Sequence, residues 1–311
     1  MVLEAKNLTK HYGDVQALDQ FSFEVGYGEA VGLLGPNGSG KTTAISIILG
    51  LLSSDRGDVT IFGQEMKPDS YTLKRRIGLV PQDLAIFSRL TVKENIEFFA
   101  SLYLNDANER AEGVRYALEF TGLENYANRR TSKLSGGLMR RLNVACGIAH
   151  RPDLLFLDEP TVAVDAQSRL FMRQGFEKLR DEGTSLVYTS HYLDEVEALC
   201  DRIVIMDHGR NLAQGSLADL KNMVSLQEIV HLEVDEETPE LKRDLEALEG
   251  LYGIESNQSG WRLSFRQGNN NILKIMEILE KHETSYRRLF SEESSLNDVF
   301  LELTGKELRD S

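Results

Sequence analysis

An α/β fold with a mixed sheet, followed by a smaller α+β domain, is the architecture this 311-residue sequence predicts. Three observations predict it. A glycine-rich loop lies between an apolar strand and an apolar helix, a second apolar strand ends in two carboxylates, and near residue 220 the pattern changes to short alternating strands and helices.

The first element, Leu3 to Val25, reads as antiparallel strands carrying Tyr12 in His11-Tyr12-Gly13. Ala30-Val31-Gly32-Leu33-Leu34 follows as a buried strand. It runs into Gly35-Pro36-Asn37-Gly38-Ser39-Gly40-Lys41-Thr42, which fits the P-loop pattern G-x-x-x-x-G-K-[ST] at every fixed position, and Thr43 to Leu49 then reads as an apolar helix. In that context backbone N–H groups turn inward around a phosphate and the helix N-terminus adds its positive end. Lys41 is then the cation at the β and γ phosphates and Thr42 the hydroxyl for Mg²⁺, so ATP and Mg²⁺ are the expected ligands.

From about Pro81 to Ser132 the chain turns helical, with three-and-four spacing in Val92 to Phe99 and in Val114 to Phe120. Ser135, Gly136 and Gly137 open a further helix running to Ile148. Ser-Gly-Gly alone is more often a turn, but between a P-loop and an acid-ended strand it reads as a second phosphate-binding helix N-terminus. Leu154-Leu155-Phe156-Leu157 is that strand. Asp158 can hold Mg²⁺ through its water shell, and Glu159 can orient or polarise an attacking water. His191 follows the apolar run Ser185 to Tyr188, a place where a lone histidine is usually a helix cap or a buried hydrogen-bonder.

Taken in order, these motifs resemble the nucleotide-binding subunit of ATP-binding cassette (ABC) transporters over roughly the first 220 residues. The resemblance implies that Tyr12 stacks on adenine and that Gly35, Pro36, Asn37, Gly38, Ser39, Gly40, Lys41, Thr42 and Thr43 hold the phosphates. It implies that Gln82, in Leu79-Val80-Pro81-Gln82-Asp83, contacts Mg²⁺ and water. Asp165, in the loop Val162-Ala163-Val164-Asp165, is expected across a dimer interface, and His191 reaches the γ-phosphate. Ser135, Gly136 and Gly137 are expected to arrive from a second copy of the chain in an ATP sandwich. Residues 82–134 correspond to the family's helical subdomain, and Gln82 to Phe99 are the expected contact for transmembrane permease subunits of one or two types. About half of Ile86, Phe87, Phe98 and Phe99 are expected in the core. One departure stands out, since the family usually carries glutamine where this chain has Leu138.

After residue 220 the expected elements are a strand (228–234), helix (239–248), strand (251–256), strand (261–266), helix (271–281), strand (285–289) and helix (296–304). The first six follow the β-α-β-β-α-β order of a ferredoxin-like unit. Ile272, Ile275, Met276 and Leu279 are expected to form one apolar helix face, and Ser295-x-x-Asp298 to form a capping box. The domains are therefore placed at 1–220 and 221–311. The ending Ser295 to Gly305 resembles the tail of bacterial drug-exporter ATPases of the daunorubicin-resistance kind, which implies antibiotic or lipid export over nutrient import. An exporter of another cargo, such as lipid, polysaccharide or ion, is the alternative.

The formal charge of −14, of which −8 falls from Lys221 onward, argues against a general nucleic-acid binder. No apolar run approaches the ~20 residues that cross a bilayer, and Met1-Val2-Leu3-Glu4-Ala5-Lys6 is charged from the start, unlike a secretory leader. The expected location is the cytoplasmic face of the cell membrane, through permease subunits. Cys146 and Cys200 have no metal-like spacing and receive no function. A chromosome-organising ATPase would carry long heptad coiled coils, and a ribosome-associated ABC protein normally two cassettes; neither feature occurs.

Overall fold

The computed structural model describes residues 1–162, 164–224, 228–257, 260–266 and 270–305. Ala163, in the loop expected to follow Glu159, lies outside the described residues. The chain divides into two compact units, Met1–Gly215 and a second that begins at Ser216. The boundary falls ahead of helix Leu217–Met223, whose start is fixed by a capping box between Ser216 and Asp219, and so lies before the division expected at 220.

The first unit holds two sheets. One is antiparallel, in the order Val15–Val25, Leu3–Tyr12, Arg56–Ile61, Gln64–Glu65. The other runs Arg210–Gly215, Arg202–Asp207, Ala30–Leu34, Ser185–Thr189, Leu154–Asp158, Ile77–Val80, and all but its first strand are parallel. Such a sheet is covered on both faces, so its strands are apolar throughout: Ala30–Leu34 and Ser185–Thr189 are buried at every position. Leu8, Phe21 and Phe23 from the antiparallel sheet, Ile45 and Ile48 from helix Lys41–Ile48, and Val31, Phe156 and Met206 from the parallel one meet in a single core. Each of these side chains contributes roughly 1.5–3 kcal/mol by burial.

This topology places the site. Four parallel strands finish at the same sheet edge, and the residues just beyond them are Gly35, Pro81, Glu159 and Ser190. Ligands of open α/β sheets bind outside such strand ends. The helical part comprises Val92–Ser101 and Ala107–Thr121, which pack on each other and on Gly136–Ile148. Thr91 and Glu94 form a capping box at its start. None of Ile86, Phe87, Phe98 and Phe99 reaches the core; Val92, Asn95, Ile96 and Ala100 take the buried positions instead, because the i, i+3, i+4 face they form is the one turned to the neighbouring helices.

The second unit is a four-stranded antiparallel sheet ordered Leu251–Asn257, Gly260–Phe265, Glu228–Val234, Tyr286–Glu293. In chain order that is second, third, first, fourth, with helices Pro239–Glu246 and Asn271–Lys281 in the crossovers, the arrangement of a ferredoxin-like unit. Leu241, Leu245, Ile275 and Leu279 of the helices bury against Val230, Leu232, Trp261, Leu263 and Phe265 of the sheet. Met276 does not join them. It is 41% exposed, and Ile278 packs at the margin of the core with Ile272 instead. The Ser295 and Asp298 capping box forms as expected at the head of Leu296–Thr304.

Candidate nucleotide and hydrolysis site

The loop Gly35 to Gly40 has the backbone that a phosphate cradle needs. Gly38 and Gly40 take left-handed φ values of 78° and 108°, which a side chain resists. A Cβ at Gly40 would stand 2.5 Å from the Ala17 carbonyl, and one at Gly35 would collide with the Met206 carbonyl. Helix Lys41–Ile48 starts at once, so its first-turn N–H groups point out of the helix end with no intrahelical acceptor. Lys41 Nζ donates to the carbonyl oxygens of Gly35 (2.6 Å) and Pro36 (3.2 Å), which folds its ammonium back over the loop. Burial lowers the Lys41 pKa, and Glu159 and Asp158 oppose that shift by favouring the cation. The Ser39 hydroxyl is buried with no hydrogen-bond partner, and Thr42 is exposed at the helix start. Fixed amides, a buried cation and a spare hydroxyl suit an oligophosphate.

Opposite the loop lies the carboxylate pair. Asp158 ends strand Leu154–Asp158 and its Oδ1 accepts from Thr189 Oγ1 at 2.6 Å. The same hydroxyl accepts from the Glu159 N–H at 3.0 Å, and the Thr189 carbonyl accepts from that N–H at 3.1 Å. Thr189 therefore sets both acids. It sits two residues before His191 and nothing in the sequence pattern singles it out, because its role exists only where the two strands lie side by side. Glu159 is 6% exposed and holds φ 49°, a left-handed backbone unusual for a side chain this large. Its Oε1 is 2.7 Å from His191 Nε2, and its Oε2 accepts from Gln82 Nε2 at 3.2 Å. Burial raises the Glu159 pKa and the Asp158 charge adds to the rise, while His191 and Lys41 pull it down; the net direction is upward.

Gln82 is held from behind by residues that sequence reasoning missed. Arg140 Nη1 donates to the Gln82 carbonyl at 2.5 Å. Asn143 Nδ2 donates to the Pro81 carbonyl at 3.0 Å, while Asn143 Oδ1 accepts from the Ala85 N–H at 3.0 Å. Both lie on the helix opened by Ser135, Gly136 and Gly137, three positions apart and therefore on one face, which helix spacing gives without saying that Gln82 lies against that face. Ser135 caps that helix by accepting from the Leu138 N–H at 3.4 Å.

The contacts just described join Gln82, Asp158, Glu159 and His191 around Thr189, with Lys41 close enough to influence both acids. Tyr12, Ser135, Gly136, Gly137 and Asp165 enter none of these contacts. Tyr12 is 51% exposed at the end of its strand. Gly136 faces open space, and a Cβ on Gly137 would lie 3.9 Å from Asp165 Oδ2. Asp165 caps helix Ala166–Asp181 by accepting from the Ser168 N–H at 3.0 Å.

A P-loop, a histidine beyond the neighbouring strand and a paired acid at the end of the next define a nucleoside-triphosphate hydrolase of the ATP-binding cassette class. The family model described as ABC transporter matches residues 18–162. The chain is 34% identical to the linearmycin resistance ATP-binding protein LnrL of Bacillus subtilis (strain 168), over 99% of this chain and 100% of that one. It is 33% identical to the Nod factor export ATP-binding protein I of Sinorhizobium fredii, over 100% of this chain and 88% of that one. Among solved structures, an ATP-binding subunit of an ABC transporter aligns with TM-score 0.67 and 27% identity, over 72% of this chain and 93% of that one. A dimeric ATP-binding cassette bound to ADP and Pi in a post-hydrolysis state aligns with TM-score 0.64 and 29% identity, over 69% and 98%. The chain belongs to the ABC transporter family. It is an ATP-binding protein and an ATPase.

Proposed function

We propose that this ATPase drives a membrane exporter of amphiphilic antibiotics or lipid-like compounds, with two copies closing on ATP. The observation that carries the reading is the double hold on Glu159, by His191 on one oxygen and Gln82 on the other, beside the Lys41 loop. Strain at a functional carboxylate fits a group whose position matters more than its local energy, and the φ of 49° at Glu159 is such strain.

In this reading Tyr12 stacks on adenine and the amides from Gly35 to Thr43 hold the phosphates with Lys41. Mg²⁺ would be held by the Thr42 hydroxyl, Gln82 and Asp158, hard oxygen donors suited to it, and would neutralise charge on the phosphates. Glu159 takes the proton from the attacking water or orients it, and His191 fixes the Glu159 carboxylate while reaching toward the γ-phosphate. Ser135, Gly136, Gly137 and Asp165 serve the facing copy's nucleotide. Their position outside the Lys41 to His191 cluster supports that assignment. Leu138 leaves the phosphate contacts to the Ser135 hydroxyl and the glycine amides.

Permease subunits would dock on the aromatic patch beside Gln82. Phe87 is 47% and Phe98 42% exposed, with ring centroids 4.9 Å apart, and Leu84 is exposed next to them. Asn95 buries beneath and fixes the patch, accepting from the Phe87 N–H at 2.7 Å and donating to its carbonyl at 3.0 Å. In this reading the chain would work at the cytoplasmic face of the membrane, bound to the permease; no helix among the described residues is itself long and apolar enough to cross one. End-to-end similarity to a linearmycin resistance protein supports an antibiotic cargo, and similarity to Nod factor export proteins supports the direction of transport.

The test is reconstitution with the membrane proteins encoded beside this chain in lipid vesicles. ATP-dependent movement of a polyene, lost in Lys41→Ala, is expected. Hydrolysis without movement of any amphiphile would remove the exporter reading, and undiminished hydrolysis by Lys41→Ala would remove the site.

A further inference from the structure

The fourth strand of the second unit, Tyr286–Glu293, is an open edge. Among the described residues its one sheet neighbour is Glu228–Val234, with Arg288, Leu289, Phe290, Ser291 and Glu292 opposite Glu233, Leu232, His231, Val230 and Ile229 in unbroken register. Leu289 lies opposite core residue Leu232 and Ser291 opposite core residue Val230, so Arg288, Phe290 and Glu292 share the other face. All three are exposed in the whole chain. Phe290 is 46% exposed although its ring stacks on His231 at 4.7 Å.

Charges on an edge strand usually discourage pairing with another chain. Here their order does the reverse for one partner. Read against itself in the antiparallel sense about Phe290, the triplet Arg288, Phe290, Glu292 meets Glu292, Phe290, Arg288. Each arginine then faces a glutamate of the other copy and the two phenylalanines meet on the two-fold axis, while Leu289 meets Ser291 on the core side. Cross-strand opposite charges and aromatic pairs are the favourable combinations for adjacent strands. A parallel alignment in register would set like charges side by side.

A second feature lies on the opposite face of the same edge. Helix Asn271–Lys281 packs against this strand, and Leu273 and Met276, one turn apart, are 57% and 41% exposed. With Leu279 and Tyr286 they form the apolar part of a groove of about 370 Å³ that Glu277, Glu280 and Thr284 complete. Two-fold pairing of the strands brings the same strip of each copy alongside the other, which covers side chains that a soluble surface would otherwise leave wet.

We infer that the second unit is a dimerisation module in which two copies of this chain join their Tyr286–Glu293 strands antiparallel about Phe290, extending two four-stranded sheets into one of eight. This contact needs no nucleotide. It is separate from the ATP sandwich of the first units and would keep the two copies together while those units open.

The test is sedimentation equilibrium of the full chain at micromolar concentration with EDTA and no nucleotide. Wild type is expected as a dimer, and Gly137→Asp, which bears on the ATP sandwich alone, is expected to remain one. Arg288→Glu and Glu292→Arg should each weaken the dimer at least tenfold, and the double exchange Arg288→Glu/Glu292→Arg should recover most of the loss. Phe290→Arg, which sets two cations against each other on the axis, should dissociate it; circular dichroism of each variant establishes that it is folded. A monomeric wild type without nucleotide, or a double exchange no stronger than the singles, overturns the inference. Failure of the Glu159→Gln variant to retain bound ATP, or hydrolysis by it at the wild-type rate, would instead bear on the hydrolysis site, so the two readings fail separately.

Discussion

His191 Nε2 lies 2.7 Å from Glu159 Oε1, and the two residues come from the ends of adjacent parallel strands, Leu154–Asp158 and Ser185–Thr189. The glutamate is thus tied to the loop beyond the neighbouring strand, with its second oxygen tied to Gln82 from the strand on the other side. Replacing the carboxylate by an amide keeps the shape of this arrangement and removes the proposed base. Glu159→Gln is expected to bind ATP and Mg²⁺ as wild type does, to slow hydrolysis by about 10²–10⁴-fold, and to accumulate as a closed dimer with ATP. Turnover at the wild-type rate in a phosphate-release assay would exclude Glu159 as the hydrolytic residue.

The pH profile follows from the same environment. Burial and Asp158 outweigh the attraction of His191 and Lys41, so the Glu159 carboxyl sits above the ordinary glutamate range. A raised pKa means that the proton is retained to higher pH in the folded protein, and the base form is lost earlier as pH falls. The acid limb of kcat is therefore expected above the ~4.3 of a free glutamate. A limb at or below that value, measured at saturating ATP, would contradict the burial argument.

The grip of Asn143 on the loop around Gln82 predicts a different failure. Asn143→Leu keeps the volume but strands the Ala85 N–H and leaves the Pro81 carbonyl only the 3.5 Å contact from Arg140 Nη1, at a cost of about 1–3 kcal/mol. Arg140 still holds the Gln82 carbonyl, so the fold should survive with a lowered melting temperature. Steady-state hydrolysis should fall several-fold more than nucleotide affinity, because the loop carries Gln82 and not the P-loop. Equal losses in both would show that the helix merely supports the core.

His150 makes the first unit sensitive to acid. Its ring stacks on Tyr103 at 3.9 Å, its Nε2–H donates to the Ile77 carbonyl at 3.1 Å, and its Nδ1 is buried without a partner. Burial pushes its pKa down to about 4. A depressed histidine pKa means that the unfolded chain takes up the proton first, so stability is full above about pH 6.5 and is lost as pH falls toward 4, by about 3 kcal/mol at most. His150→Gln, whose amide can still reach Ile77, should flatten that loss. Melting temperatures of both proteins between pH 7.5 and 5 decide the matter, and parallel curves would assign the acid sensitivity elsewhere.

What the sequence made legible was chemistry carried by neighbours along the chain. Gly35 to Thr42, Asp158 with Glu159, and the cap at Ser295 each declare themselves within a few residues, and the structure puts each on the element expected. Thr189, Arg140 and Asn143 are hidden because Asp158, Gln82 and Pro81, which they hold, lie 31, 58 and 62 residues away, and only strand order and helix docking bring them near. Met276 was misplaced for a related reason: helical spacing gives the width of an apolar face but not which neighbours cover it. The last strand runs to Glu293 and not Leu289, because its polar end pairs with Glu228–Val234, a ladder that Ser291 and Glu292 do not announce.

Leu138 sets the final prediction. Its side chain is half-buried and its N–H serves the Ser135 cap, so the residue contributes packing and a backbone donor. If the phosphate contacts of this helix come from the Ser135 hydroxyl and the amides of Gly136 and Gly137, Leu138→Gln should alter hydrolysis no more than a few-fold. Gly137→Asp should nearly abolish it. A carboxylate there occupies the helix N-terminus that would otherwise receive an anion, and it also meets Asp165, 3.9 Å from where its Cβ would stand. If the glycine serves the facing copy, ATP affinity of the separated chain should stay almost unchanged while turnover disappears. Measuring both quantities for both variants tests the interfacial role directly: a large loss of single-chain affinity in Gly137→Asp, or normal turnover, would place this helix outside the nucleotide sandwich.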